Sequence, residues 1–185
     1  ITPPTIIILS PENKSYCSNS VPLTFKVNES PFWMGYSLNY GVNITITGNT
    51  TLTLSEGTYN IVIYANDTAG NMGCFDKIYF TVDTTPPTIT LLTPQNKTYY
   101  NTVPLTFEVN EPTSWIGYSI DSQANVTIVG NTTLTGLSSG THNVVVYAND
   151  TAGNIGSSDA VYFTILLRDV AVTNVVSSKT VIGQG

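Results

Sequence analysis

From Val21 to Val27, and again from Val103 to Val109, apolar residues take every second position: Val21, Leu23, Phe25, Val27 and Val103, Leu105, Phe107, Val109. A period of two turns one face to a core and one to water, so both stretches are predicted as half-buried β-strands. Similar runs precede them at Thr5 to Leu9 and Thr88 to Leu92. Others follow, with Met34, Tyr36 and Leu38 on one face of a third strand and Trp33 and Gly35 on the other; Ile116, Tyr118, Ile120, Trp115 and Gly117 repeat the arrangement. Short β-rich pieces come next at Ile44 to Thr47, Thr50 to Leu54, Val126 to Val129 and Thr132 to Thr135. Gly57 and Gly140 introduce a longer strand, and the closing strands carry Ile78, Phe80, Val82 and Val161, Phe163, Ile165. No stretch keeps a helical period.

The same pattern is written twice, offset by 82 or 83 positions. Its most conspicuous copy is Tyr-Ala-Asn-Asp-Thr-Ala-Gly-Asn, at Tyr64 to Asn71 and Tyr147 to Asn154, which reads as the turn of a long hairpin. Asn and Asp bond their own backbone there, and Gly70 and Gly153 accept positive φ without steric cost. About seven short strands per copy, with frequent turn residues, predict an all-β fold of two tandem immunoglobulin-like antiparallel β-sandwiches. Parallel βαβ topologies are excluded, since no crossover helix can be found. Repeat one is assigned to 1–83, repeat two to 84–166, and a C-terminal β-strand tail to 167–185. The short joint Val82 to Pro87 holds two prolines and favours an extended, semi-rigid rod. Ile1 to Thr5 resembles the joint at Thr85 to Thr88, so the chain is expected to begin where another domain ended or where processing cut it. The tail is too short to fold alone and is expected to dock on something.

Charge narrows the function. A net charge of −6, with six Lys plus Arg in 185 residues, argues against nucleic acid, whose phosphates need a basic surface. No apolar run reaches the roughly 18 residues that cross a bilayer, and no basic-then-apolar leader precedes Ile1, so no membrane insertion is expected within this segment. Charged residues make up only 10% of the chain, so Thr, Ser and Asn must keep it in solution.

Four stretches then carry a resemblance: Ser/Thr-Pro-x-Asn-Lys-Ser/Thr-Tyr, Val-Pro-Leu-Thr-Phe, Trp-x-Gly-Tyr-Ser and the Tyr-Ala-Asn-Asp motif. Together they cover residues 2–166 and resemble the immunoglobulin-like repeats of archaeal, and some bacterial, cell-surface proteins. The tail, Arg168 to Thr173 and Gly183-Gln184-Gly185, looks like the first strand of a CARDB domain, an adhesion-related sandwich. The resemblance implies extracellular stalks, surface layers or adhesive fibres, and it supplies no catalytic residues.

Nine Asn-x-Ser/Thr sequons offer glycan acceptors at Asn13, Asn28, Asn43, Asn49, Asn66, Asn96, Asn125, Asn131 and Asn149, all at predicted turns or strand edges. The two cysteines, Cys17 and Cys74, both belong to repeat one and are replaced together by Tyr100 and Ser157 in repeat two. That pairing suggests a disulfide within the chain, with a bond between neighbouring subunits or free thiols as alternatives. Trp33 and Trp115 would serve as sugar platforms or, more simply, as covers over the sheet beside Gly35 and Gly117. Glu29, Asp67, Asp83 and Asp150 raise the question of calcium. No three acids cluster along the chain, however, so no metal or cofactor is assigned and turn-stabilising roles are expected. The single histidine, His142, takes the place of Tyr59 and reads as a solvated strand residue, which leaves no catalytic set and predicts no enzyme.

The function expected is a structural segment of an extracellular, N-glycosylated filament, stalk or surface layer. Its partners would be neighbouring copies of itself, adjacent domains of a longer chain, and covalent glycans. Strand addition by the β-branched tail around Val170, Val172, Val175 and Val176 would polymerise it. The rival reading is an adhesin or carbohydrate-binding module, and an accessory region of an enzyme ranks third.

Overall fold

A computed structural model describes residues 2–168. Val170, Val172, Val175 and Val176 lie outside the described residues. Repeat one contains β1 (Ile6–Ser10), β2 (Ser15–Tyr16), β3 (Ser20–Val27), β4 (Trp33–Leu38), β5 (Ile44–Ile46), β6 (Thr50–Thr53), β7 (Gly57–Asn66), β8 (Met72–Cys74) and β9 (Ile78–Val82). Repeat two follows with β10 (Ile89–Thr93), β11 (Thr98–Tyr100), β12 (Val103–Val109), β13 (Thr113–Ile120), β14 (Val126–Ile128), β15 (Thr132–Leu134), β16 (Gly140–Asp150), β17 (Ile155–Ser157) and β18 (Val161–Leu166). Among the described residues there is no helix, and so none long and apolar enough to cross a membrane.

Each repeat is a two-sheet sandwich. One sheet runs β1-β3-β6, and the facing sheet runs β2-β9-β7-β4-β5 with β8 added to β7; repeat two copies both. The alternation read from the sequence is what fills the space between them. Val21, Leu23 and Phe25 from one sheet meet Ile61, Ile63, Ala65, Phe80 and Val82 from the other, all buried. Val103, Leu105, Phe107, Val144, Val146, Ala148, Phe163 and Ile165 form the second core. Met34, Tyr36 and Leu38 pack inward as their parity requires.

Two features depart from the expected arrangement, and only the first breaks the antiparallel pairing. The chain crosses from one sheet to the other after β1, and β2 then pairs parallel with β9, Ser15 opposite Thr81 and Tyr16 opposite Val82. The same crossing puts β11 parallel to β18. A two-residue strand has too few positions for a period to show, which is why the pattern misses it. The second departure is the hairpin itself. The turn after β7 leads into a three-residue return, β8, before β9 takes up the rest of the same edge of β7.

Candidate functional site

The hairpin turn is built around one carboxylate in each repeat. Asp67 Oδ1 accepts the N–H groups of Ala69 and Asn71 at 2.9 Å each, and Oδ2 accepts Asn71 Nδ2 at 2.7 Å. Asp150 repeats this with Ala152, Gly153 and Asn154 at 2.8, 2.6 and 2.9 Å, and with Asn154 Nδ2 at 2.7 Å. Gly70 and Gly153 take the expected positive φ, 84° and 100°. Asp67 and Asp150 share the inward parity of Ile61, Ile63, Val144 and Val146, which is why they are buried. The Asn71 side chain pulls the Asp67 pKa down against desolvation. At Asp150 desolvation pushes up, but the bonds from Asn154, Gly153 and Ala152 outweigh it and the pKa is lowered.

Each hairpin also grips the segment that enters its own repeat. The backbone of Pro4 lies directly over Gly73, and that of Pro87 over Gly156, where any side chain would collide. In repeat two this grip extends across the joint. Asn154 Nδ2 donates to the carbonyl of Asp83, the last residue of repeat one, at 2.8 Å. From the other side, the Glu56 carboxylate accepts from the Thr84 N–H at 3.1 Å and the Thr84 hydroxyl at 2.8 Å, and it takes the Thr85 hydroxyl as well. Those bonds, Thr85 first, hold Glu56 below its ordinary pKa. Cys17 completes the contact: its Sγ stands 4.0 Å from where a Cβ on Gly153 would be.

Three carboxylates meet at this joint. Oxygens of Asp83, Glu111 and Asp150 lie within 4.8 Å of one another. Desolvation, and then the charges of Asp83 and Asp150, push the Glu111 pKa up. The cluster is spread over residues 83, 111 and 150, so no local run of acids announces it. The repeat could have done so, because Glu111 is the counterpart of Glu29 and Asp150 that of Asp67. Three side-chain carboxylates fall short of a calcium shell, which takes six to eight oxygens in all.

The remaining candidates separate by environment. Asn13, Asn43, Asn96 and Asn125 are exposed and lie in loops. Asn28 is exposed too, but its Oδ1 accepts the Thr5 N–H at 2.7 Å; Asn110, which is not a sequon, does the same for Thr88. Asn49 and Asn131 accept the N–H groups of Phe25 and Phe107 at 3.0 Å. Asn66 and Asn149 are half-buried at the ends of long strands, and Asn66 Oδ1 is buried without a partner among the described residues.

Cys17 and Cys74 are exposed free thiols. Cys17 follows Tyr16, opposite Val82 and hence near Gly57; Cys74 lies opposite Tyr64, seven residues further along β7. At about 3.3 Å per residue the two ends are roughly 23 Å apart, beyond the Cα separation of about 4.4–6.8 Å that a disulfide spans. This fold therefore does not bridge them within one chain.

The tryptophans cover the sheet. Trp33 lies over Gly35 and donates Nε1–H to Thr45 Oγ1 at 2.9 Å, while Trp115 lies over Gly117 and donates to Thr127 at 3.0 Å. His142 is not the solvated residue its chemistry suggested. It is 8% exposed, with Nδ1 at 2.7 Å from Asp121 Oδ2 and Nε2 at 2.9 Å from the Ser138 carbonyl. Its inward parity with Val144 and Val146 was the signal.

Comparison with known proteins agrees with this architecture. Residues 43–110, spanning the joint, match the bacterial Ig-like domain (group 3) family. Over 107 residues, 53% of the chain, the sequence is 35% identical to halomucin of Haloquadratum walsbyi, of whose length this match is 1%. Among solved structures, the fibronectin(III)-like modules of Clostridium thermocellum CbhA superpose with a TM-score of 0.52 at 15% identity, covering 88% of this chain and 95% of that one. The last likeness concerns the fold alone.

Proposed function

We propose that this chain is a structural spacer in an extracellular surface protein: two sandwiches held in a fixed relation, glycosylated on their loops. The observation that carries this reading is the joint. Asp83 is held by Asn154, and Thr84 and Thr85 by Glu56, so both repeats bond the residues between them. Such bonds suit a part whose work is to set distance and direction. The similarity to halomucin and to bacterial Ig-like domains supports a place at the cell surface.

Repeat two releases the chain much as repeat one does. Leu167 N–H donates to Ser139 Oγ at 3.2 Å, as Thr84 N–H donates to Glu56. Strand addition by the tail, with Val170, Val172, Val175 and Val176 on the added strand, would find edges at β5 and β14, each bonded to one neighbour only among the described residues. A bond between the thiols of neighbouring copies remains compatible with the exposure of Cys17 and Cys74.

Glycans are assigned to Asn13, Asn43, Asn96 and Asn125, whose side chains are exposed and make no hydrogen bond among the described residues. The experiment is surface labelling of intact producing cells, followed by glycopeptide mapping. The labelled chain should be recovered with hexose on those four sites. Recovery only from the cytosol, with all nine sequons bare, would defeat the reading. Filaments that persist after truncation beyond Arg168 would defeat strand addition alone.

A further inference from the structure

We propose that His142 is a protonation-dependent strut of repeat two, joining the β15–β16 loop to the β13–β14 turn only while both of its ring nitrogens carry protons. The inference rests on donors and acceptors. Nε2 faces a backbone carbonyl, Ser138 O, which can only accept. Nδ1 faces Asp121 Oδ2. The other oxygen of that carboxylate, Oδ1, accepts the Asn143 N–H at 2.9 Å, and Asp121 N–H donates to Asn143 O at 3.0 Å, which holds the side chain in place. Burial pushes its pKa up, but the His142 and Asn143 bonds outweigh it and lower the pKa, which keeps Asp121 an acceptor. Two acceptors at hydrogen-bond distance from one buried imidazole demand two N–H groups, which is the imidazolium. A neutral ring satisfies one and turns a lone pair on the other.

Repeat one provides a built-in control. Asn39 stands where repeat two has Asp121, and Tyr59 where it has His142. Tyr59 donates its hydroxyl to Ser55 O at 2.9 Å, and Asn39 Oδ1 accepts the Asn60 N–H at 2.9 Å. The two loops are thus tied by separate neutral bonds, and no proton at neutral pH links them. The ring packing is kept: Tyr59 stacks on Phe80 at 5.6 Å and His142 lies on Phe163 at 5.9 Å.

Among the described residues the groups facing His142 are few. Asp121 from the turn supplies the charge, Ser138 from the loop supplies the carbonyl, and Phe163 from β18 supplies an uncharged ring. Tyr118 shares the adjoining open recess of about 420 Å³, which Ile120 and Leu137 also line. The Asp121 bond first, then the Ser138 carbonyl, hold the imidazole pKa above its usual value against burial. The strut's stability is therefore complete below the ordinary histidine range and is lost as pH rises through the raised folded value. Losing it frees Ser138 and opens that side of the recess.

Because this is the chain's one histidine, its NMR signals are unambiguous. The test is a pH titration of the 185-residue chain, following the imidazole nitrogens and amide protection. Both nitrogens should report N–H at pH 6.5, where a free imidazole is half deprotonated. As the ring titrates, protection at Leu167, whose N–H is held by Ser139 beside the released carbonyl, should fall roughly fivefold, the factor one ordinary hydrogen bond commands, while Asp121 and Asn143 keep theirs. Asn39 and Asn60 should not respond. A chain carrying Asp121→Asn and His142→Tyr, which restores the repeat-one pair, should fold and lose the response in repeat two. An imidazole titrating at or below the free value, or protection unchanged across its titration, would overturn the proposal.

Discussion

Asn154 spends its side-chain amide twice: Nδ2 donates to its own turn at Asp150 Oδ2, 2.7 Å away, and across the joint to the Asp83 carbonyl at 2.8 Å. One residue therefore ties the fold of repeat two to the position of repeat one. Asn154→Ala should cost about 1 to 3 kcal/mol in repeat two, by loss of a charge-assisted bond. It should also separate the rotational diffusion of the repeats in ¹⁵N relaxation. Asn71→Ala, at the same place in repeat one, should show a similar stability loss while leaving the joint intact.

Asp150→Ala removes a fully buried acceptor of four donors from the turn. A loss of about 3 kcal/mol is expected, which for a domain of this size lowers the melting temperature by roughly 10 to 20 °C. The pH sign follows from the lowered pKa values of Asp67, Asp121 and Asp150. At Asp121 burial pushes up, but the His142 and Asn143 bonds prevail. Stability from these groups is present above the ordinary aspartate range and drains away as pH falls through the lower folded values. Circular dichroism in acid should find the Asp150→Ala chain the less acid-sensitive, starting from its lower plateau.

Glu111 behaves oppositely. Its raised pKa means that the folded state holds a proton the unfolded state has released, so stability falls as pH rises from the ordinary glutamate value through the folded one. Glu111→Gln should raise the melting temperature at pH 7 and leave it unchanged at pH 3. A lowered melting temperature at pH 7 would mean that the charge itself is needed at the joint.

Both thiols should react with a maleimide in the folded chain, giving two adducts without reductant. A peptide linking Cys17 to Cys74 in a monomer would require strands to leave their register.

The parts legible in the sequence are those that a period of two or a turn motif encodes. Val21 to Val27 announced a strand, and Gly70 and Gly153 announced positive φ; both follow from local sterics and burial. The joint was legible only as Pro86-Pro87. Its chemistry depends on Glu56 and Asn154, which stand 28 and 71 positions from the residues they bind, and no local pattern encodes such pairs. His142 and Asp150 lay between these cases. Their parity placed them inside with Val144 and Val146, but their polarity argued for water. The resolution is a partner from another segment: Asp121 for His142, and the turn's own amides for Asp150.

Residual dipolar couplings in a weakly aligned sample test most directly whether the joint fixes one repeat relative to the other. Couplings from residues 2–83 and from 84–168 should fit a single alignment tensor, equal in magnitude and direction for both repeats. Two tensors of different magnitude would contradict the account, since they would mean that the bonds of Asn154 and Glu56 do not hold the repeats together in solution.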